Sequence, residues 1–242
     1  MGNILWLIDP DAGRVSKADR KRRPPPDGGR LTTEIRLATE KGYRQRFEAP
    51  AFAYPERQPP PGGSAADYLA ARRRGVRAFT LWADPDRRTR LADVVTRVAN
   101  GPKRYARFEV LGPDGASLAL IDREPASFAR PRRTCWTVRL ADGTVAVGRK
   151  GRPFWWWVWW LVSPFQALML LLALLGGDVA RPPRRTRWRV GRGVVLDWAS
   201  GQRVFELEEV AGAWDHRVTA ALVALLSSHE GWLGDNWEDG KG

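Results

Sequence analysis

From residue 105 onward, apolar and polar positions alternate in short runs separated by turn dipeptides. RYARFEVL, GPDG and ASLALI read as strand, turn and strand. CWTVRL, ADG and TVAVG repeat the plan, and RWRV, GRG and VVLDW repeat it again. ASGQ then leads into RVFELEEV. Asp-Gly and Ser-Gly between alternating, β-branched runs mark hairpins, because the tight turns need residues that tolerate unusual backbone angles. The pattern predicts an antiparallel meander over 105–210. After it, Val218, Ala220, Ala221, Leu222, Val223, Ala224, Leu225 and Leu226 leave almost no polar face. Asp215 is placed to cap this helix and Gly231 to stop it. A helix apolar all round must be enclosed, and this one is too short to span a bilayer, which takes about 20 residues. The fold class expected is therefore mainly β (α+β): a meander or barrel closing on an apolar C-terminal helix.

The earlier part is less regular. Residues 65–77 predict a short helix ended at Gly75, and FTLWA at 79–83 predicts a strand. Leu91, Val94, Val95 and Val98 recur at helical spacing, so 90–100 predicts a helix stopped by Gly101-Pro102. The stretch 31–54 is expected to supply one or two strands. Residues 14–30 and 57–64 are Pro- and Gly-rich and read as linkers. The domain reading is an apolar start and basic linker at 1–30 and a basic, partly disordered region at 31–104. A β domain with its helix follows at 105–230, carrying an insert at 153–177, and an acidic tail at 231–242.

That insert breaks the alternation. Residues 154–175 run FWWWVWWLVSPFQALMLLLALL without a formal charge. Trp155, Trp156, Trp157, Trp159 and Trp160 suit the membrane–water interface, where the ring is buried and the N–H stays wet. Phe165, Leu168, Leu171, Leu172 and Leu175 suit the acyl region. Arg149, Lys150 and Arg152 before it, and Arg184 and Arg185 after it, are placed to meet lipid phosphates. Three geometries stay open. One helix of 22 residues would reach about 33 Å and could span. A re-entrant hairpin could turn at Ser163-Pro164, which also make a good helix start. A buried hairpin or oligomer contact in a soluble protein is the third.

Charge changes the picture moderately. Lys and Arg total 40 against 27 Asp and Glu, a net of +13. Residues 1–104 hold 22 basic and 12 acidic residues, and 149–192 hold nine against Asp178 alone. Residues 204–242 reverse the sign, with two against eight. Such positive charge suits an anionic membrane or nucleic acid. Mean hydropathy is −0.41, so outside the insert the chain reads as soluble. One cysteine, Cys135, excludes an intramolecular disulfide. The apolar run 4–8 is too short for a secretory signal, and Trp6 stands where a myristoylation motif wants Ser or Thr.

Candidate chemistry is sparse. His216 and His229 sit at the two ends of the expected helix and read as caps or solvated residues. One cysteine and two histidines make a zinc site improbable. Asp9-Pro10-Asp11 and Asp84-Pro85-Asp86 read as turns rather than metal ligands. Glu206 and Glu208 share the solvated face of a strand by alternation. No nucleophile elbow, phosphate loop or dinucleotide fingerprint is present. No catalytic residue, metal or cofactor is assigned.

FEVLGPDGASLALI, CWTVRLADGTVAVG, VVLDWASGQRVFEL and WDHRVTAALVALL together resemble the tubby C-terminal-like superfamily, which includes the LURP-one-related proteins and the phospholipid scramblases. The resemblance implies a closed β-barrel around a hydrophobic C-terminal helix. It also implies binding of lipid or a membrane surface rather than catalysis. The insert has no counterpart in that pattern, and the hairpins of 105–210 supply fewer strands than such a barrel needs. No functional residue of the family carries over to this chain. The expectation is a membrane-associated, non-enzymatic protein at the cytoplasmic face. It would anchor a β domain to an anionic phospholipid membrane and be open to a protein partner or self-association. The alternatives are a soluble, basic nucleic-acid-binding protein, in which Trp188 and Trp198 stack bases, and a single-span protein or membrane-bound enzyme.

Overall fold

The computed structural model describes residues 2–8, 30–40, 42, 47–101, 104–126, 133–151, 184–200, 205–212 and 214–229. The expected insert, with all five of its tryptophans and Phe165 to Leu175, lies outside them, as do Arg152 and the acidic tail. Among the described residues no helix is long and apolar enough to cross a membrane.

The described chain is mainly β. Its strands are β1 (Ile4–Ile8), β2 (Glu34–Ala38), β3 (Ala51–Arg57), β4 (Ala78–Trp82), β5 (Arg90–Ala99) and β6 (Ala106–Leu111). They continue as β7 (Ser117–Glu124), β8 (Cys135–Leu140), β9 (Val145–Lys150), β10 (Arg184–Val190), β11 (Gly193–Ser200) and β12 (Phe205–Glu209). Helix α1 (Ala65–Arg73) joins β3 to β4, and α2 (His216–His229) follows β12. Every strand pairs with its sequence neighbour, and β1 pairs with β12 to close the barrel. The closure runs antiparallel from Ile4↔Glu208 to Leu7↔Phe205. Five of the twelve strands precede residue 105, so the barrel reaches well before the meander that the turn signals mark.

Strand β1 explains why ILWLI is apolar without interruption. Leu5 and Leu7 face the barrel interior. Ile4, Trp6 and Ile8 face outward and are also buried, packed with Ala38 and Ala49. A strand buried on both faces has no reason to alternate.

The 90–100 segment corrects the expected helix: it is β5, paired with β4 and β6. Its apolar spacing misleads because the register shifts between Thr96 and Val98, which breaks the period of two. Val94, Val95, Thr96 and Val98 are β-branched and favour the pleated surface, and two neighbouring strands decide the outcome.

Helix α2 passes through the barrel. All of Val218 to Ser228 is buried, and inward residues of all twelve strands share its hydrophobic core. Asp215 caps its start, with Oδ1 accepting the Arg217 N–H at 2.9 Å. Near its end, Ser227 and Ser228 donate back to the Ala224 and Leu225 carbonyls, which satisfies both hydroxyls inside the core.

On the outer face two carboxylates stitch neighbouring strands. Asp122 on β7 accepts from Arg107, Arg139 and the Tyr105 hydroxyl. Burial opposes its charged form, but those bonds outweigh burial and hold its pKa below the usual range. Asp197 on β11 takes Arg185 and Arg187 from β10.

One glycine is fixed by packing. Gly148 on β9 lies opposite Trp136 on one side and Trp188 on the other. A Cβ there would stand 2.5 Å from the Trp188 ring, which is fully buried and has nowhere to move. Gly148→Ala should therefore destabilise the barrel by about 1–3 kcal/mol. The expected reading is a lower urea midpoint with an unchanged slope; an unchanged midpoint would mean that the indole is not wedged as described.

Candidate functional site

Because the barrel is an antiparallel meander, its connections sort by parity onto two rims. Those after odd-numbered strands (58–77, 100–105, 125–134, 151–183 and 201–204) lie at one rim. Segment 9–33 also leaves there, but it approaches β2 past the 83–89 turn, where the Leu31 N–H donates to the Pro85 carbonyl at 3.1 Å. Connections after even-numbered strands lie at the opposite rim. The long connections thus gather at one end, and most of the tight turns at the other.

The stem of the insert is described up to its base. Lys150 pairs with Thr186, and Arg149 with Arg187. The Gly151 N–H donates to the Arg185 carbonyl at 3.0 Å, and the Gly151 carbonyl accepts from Arg133 at 2.6 Å. Both ends of 152–183 are therefore held side by side at the loop-bearing rim. Of the residues expected to meet phosphate, Arg149 is exposed and Lys150 half-buried at the end of β9. Arg184 opens β10. Arg185 is gripped by Asp197, with Nε to Oδ1 at 2.7 Å and Nη2 to Oδ2 at 2.5 Å. That grip raises its pKa and engages Nε and Nη2, while half of the side chain stays exposed.

The mouth of the barrel at this rim is cationic. The Arg77 side chain is buried, with Nε 2.9 Å from Ser228 Oγ, at the last turn of α2. The Arg123 guanidinium lies 5.9 Å from the Trp136 ring centroid. Burial and the charge of Arg77 push the Arg123 pKa down to about 10. Both follow the inward register of their strands: Arg77 precedes Phe79 and Leu81 by the period of two, and Arg123 follows Ala119 and Ile121. An arginine in step with inward apolar positions was the signal that sequence reading missed. Cations are favourable there because the carbonyl end of α2 carries partial negative charge.

Of the two readings of His229, the structure fits the cap: half-buried at the same mouth, it stands edge-on to Phe108 and Trp136, with Nδ1 3.0 Å from the Leu225 carbonyl of the last turn. A neutral ring with its proton on Nδ1 satisfies that bond. Burial, and then the charges of Arg77 and Arg123, hold its pKa well below the ordinary 6.5 despite the Leu225 bond; Arg72 on α1 adds to the effect.

The opposite mouth is acidic. Glu209 continues the inward register of Leu207 and is buried at the start of α2. It accepts from Thr219 Oγ1 at 2.9 Å and Asn3 Nδ2 at 3.0 Å, and His216 Nε2 lies 3.5 Å away. This network seals the mouth, and its carboxylate suits the positive end of the helix dipole. Glu206 on the outer face accepts from the Trp6 indole at 3.3 Å. Among the described residues no group of His, Cys, Asp and Glu is placed to hold a metal.

Trp188 and Trp198 face the barrel interior with no exposed surface. They cannot stack bases from there, which removes the aromatic half of the nucleic-acid expectation. No family model, curated protein or solved structure matches the chain.

The His229 environment gives a pH dependence. A base whose pKa falls on folding binds its proton more readily when unfolded. Its contribution is complete above about pH 6.5 and is lost as pH drops below that, by at most about 1.4 kcal/mol per unit. Asp122 and Asp215, lowered from 3.8, act in a more acidic window. Unfolding midpoints should therefore fall between about pH 7 and about pH 5 in the parent, and stay flat in His229→Leu. Parallel slopes in the two proteins would show that another group titrates.

Proposed function

We propose that the chain is a membrane-associated, non-enzymatic protein that anchors its barrel to an anionic bilayer through the tryptophan-rich insert. The observation that carries this reading is the pinned stem. Residues 152–183 leave and rejoin the barrel at adjacent strands of one rim. A barrel whose outer face carries ion pairs such as Arg107–Asp122 and Arg185–Asp197 is unsuited to lipid and stays on one side of a bilayer, so the segment must return to the side it left. This favours the re-entrant or interfacial hairpin over the single span, because an odd number of crossings would pull β9 and β10 apart. It also lets a membrane element be inserted without interrupting any strand pairing.

In this reading the five tryptophans occupy the interface, and Phe165 to Leu175 reach the acyl region. Arg149, Lys150, Arg152 and Arg184 take the phosphates. Arg185, paired with Asp197 through Nε and Nη2, adds its remaining donors on its exposed side. A barrel closed on an apolar helix is also the architecture that the tubby-like resemblance implies, and membership of that superfamily, with placement at the cytoplasmic face, belongs to the proposal. What the barrel brings to the membrane, a lipid ligand or a protein partner, is a further part of the same proposal.

Replacing Trp155, Trp156, Trp157, Trp159 and Trp160 with serine should move the protein from the floating to the bottom fraction of a vesicle gradient, while the barrel keeps its unfolding midpoint. Full flotation of that variant would remove the anchoring role. In a Cys135→Ser background, single cysteines at positions 152 and 182 should both react with an impermeant thiol reagent from the same side of sealed vesicles. Reaction from opposite sides would replace the hairpin with a span.

A further inference from the structure

We infer that the loop-bearing rim is itself the membrane-facing surface, so that the barrel stands end-on with its axis directed at an anionic bilayer. The inference rests on the anchoring reading, and it adds an orientation and a second set of lipid-contacting residues outside the insert.

The first observation is the distribution of charge between the rims. Among the described residues of the connections 58–77, 100–105, 125–134 and 151–183 stand six arginines, Arg72, Arg73, Arg74, Arg77, Arg104 and Arg133, against one carboxylate, Asp67. Among the described residues of the opposite connections, three arginines stand against seven carboxylates. The complete sequences at the loop-bearing rim, with 201–204, hold 12 basic and two acidic residues. The tail after α2, one lysine against four carboxylates, reduces that excess without reversing it.

The second observation is how these charges are engaged. Arg73, Arg74 and Arg104 are exposed, and none is ion-paired to another described residue. At the opposite rim the carboxylates are structural. Asp84 accepts the N–H groups of Asp86, Arg88 and Thr89, Asp114 that of Ala116, and Asp142 that of Thr144. These carboxylates hold the turns through their backbone bonds and are in part neutralised by them as free surface charges. Over their complete sequences the opposite connections hold six basic and seven acidic residues, so that rim offers an anionic surface no net attraction. The third observation is that the insert emerges from the cationic rim. Charge and insert point the same way.

The test uses the full chain and vesicles of phosphatidylcholine with and without phosphatidylserine. R73E/R74E/R104E reverses three charges at the loop-bearing rim. R88E/R189E/R192E makes the same change in net charge at the opposite end. The first should weaken binding to phosphatidylserine vesicles by about tenfold or more, and the second by less than about twofold. Without phosphatidylserine the parent and both variants should bind alike. Equal losses in the two variants, or none in either, overturn the orientation and leave the anchoring intact. Failure of the parent on both vesicles overturns both readings, and its retention of a single-stranded oligonucleotide would then assign the cationic rim to nucleic acid. A second measurement does not depend on affinity. A dye on Cys135, at the start of β8 and so at the loop-bearing rim, should transfer energy to headgroup-labelled lipid far better than a dye on Ala141→Cys, in the opposite turn, in a Cys135→Ser background. Equal transfer from the two positions overturns the end-on orientation.

Discussion

Helix α2 has no polar side, and every residue from Val218 to Ser228 is buried. Water cannot be allowed near any face of it, so one sheet packed against one side would not suffice. Only a wall that goes all the way round meets this demand. That wall exists because β1 reaches across the ends of the sheet to pair with both β2 and β12. Closure also leaves no strand edge unpaired. The five residues of β1 therefore hold a place out of proportion to their number: without them the barrel opens along its length and α2 is exposed.

Enclosing a helix fixes what its ends must meet. The start of α2 presents unpaired N–H groups and the end presents unpaired carbonyls. Asp215 and Glu209 stand at the first, Arg77 and Arg123 at the second. The same polarity extends outward. Tight turns at the Asp215 end recruit carboxylates to hold their N–H groups, while the long connections at the Arg77 end have no such demand and carry arginine. The molecule is thus polar along its axis, inside and outside in the same sense.

Much of this was legible in the sequence. The Asp-Gly and Ser-Gly hairpins from Arg107 to Glu209 could be read directly, as could the enclosure of Leu222 and its neighbours, because turn chemistry and an all-apolar helix are local signals. What failed was whatever depended on partners. Strand β5 looked helical because a bulge near Val98 disturbs its period, and only β4 and β6 make it a strand. For His229 the sequence leaves a cap and a solvated residue both open, because nothing in one sequence shows that Phe108, Trp136 and Arg77 converge on it. Arg77 and Arg123 passed unnoticed for the opposite reason: their register was visible, but a charge in step with inward residues invites the reading that the strand has already ended.

The pairing around β10 bears on how a long apolar connection between two strands can be tolerated. An apolar excursion placed in a β-sheet usually threatens the pairing on both sides of it. Here the pairing of β9 with β10 continues to the base of the stem, and Arg133 fastens that base from β8's side. Asp197 then ties Arg185 and Arg187 to β11, so that the first turns of β10 are held from both neighbours. A strand anchored in this way transmits little of what happens beyond Gly151 and Arg184 into the barrel. The consequence is that the barrel and the 152–183 connection can be altered separately. Changes at Asp197 or Gly148 act on the wall around α2, whereas changes beyond Gly151 leave its pairing in place. The exposed arginines of the rim, Arg73, Arg74 and Arg104, lie outside the core and can be replaced without opening it.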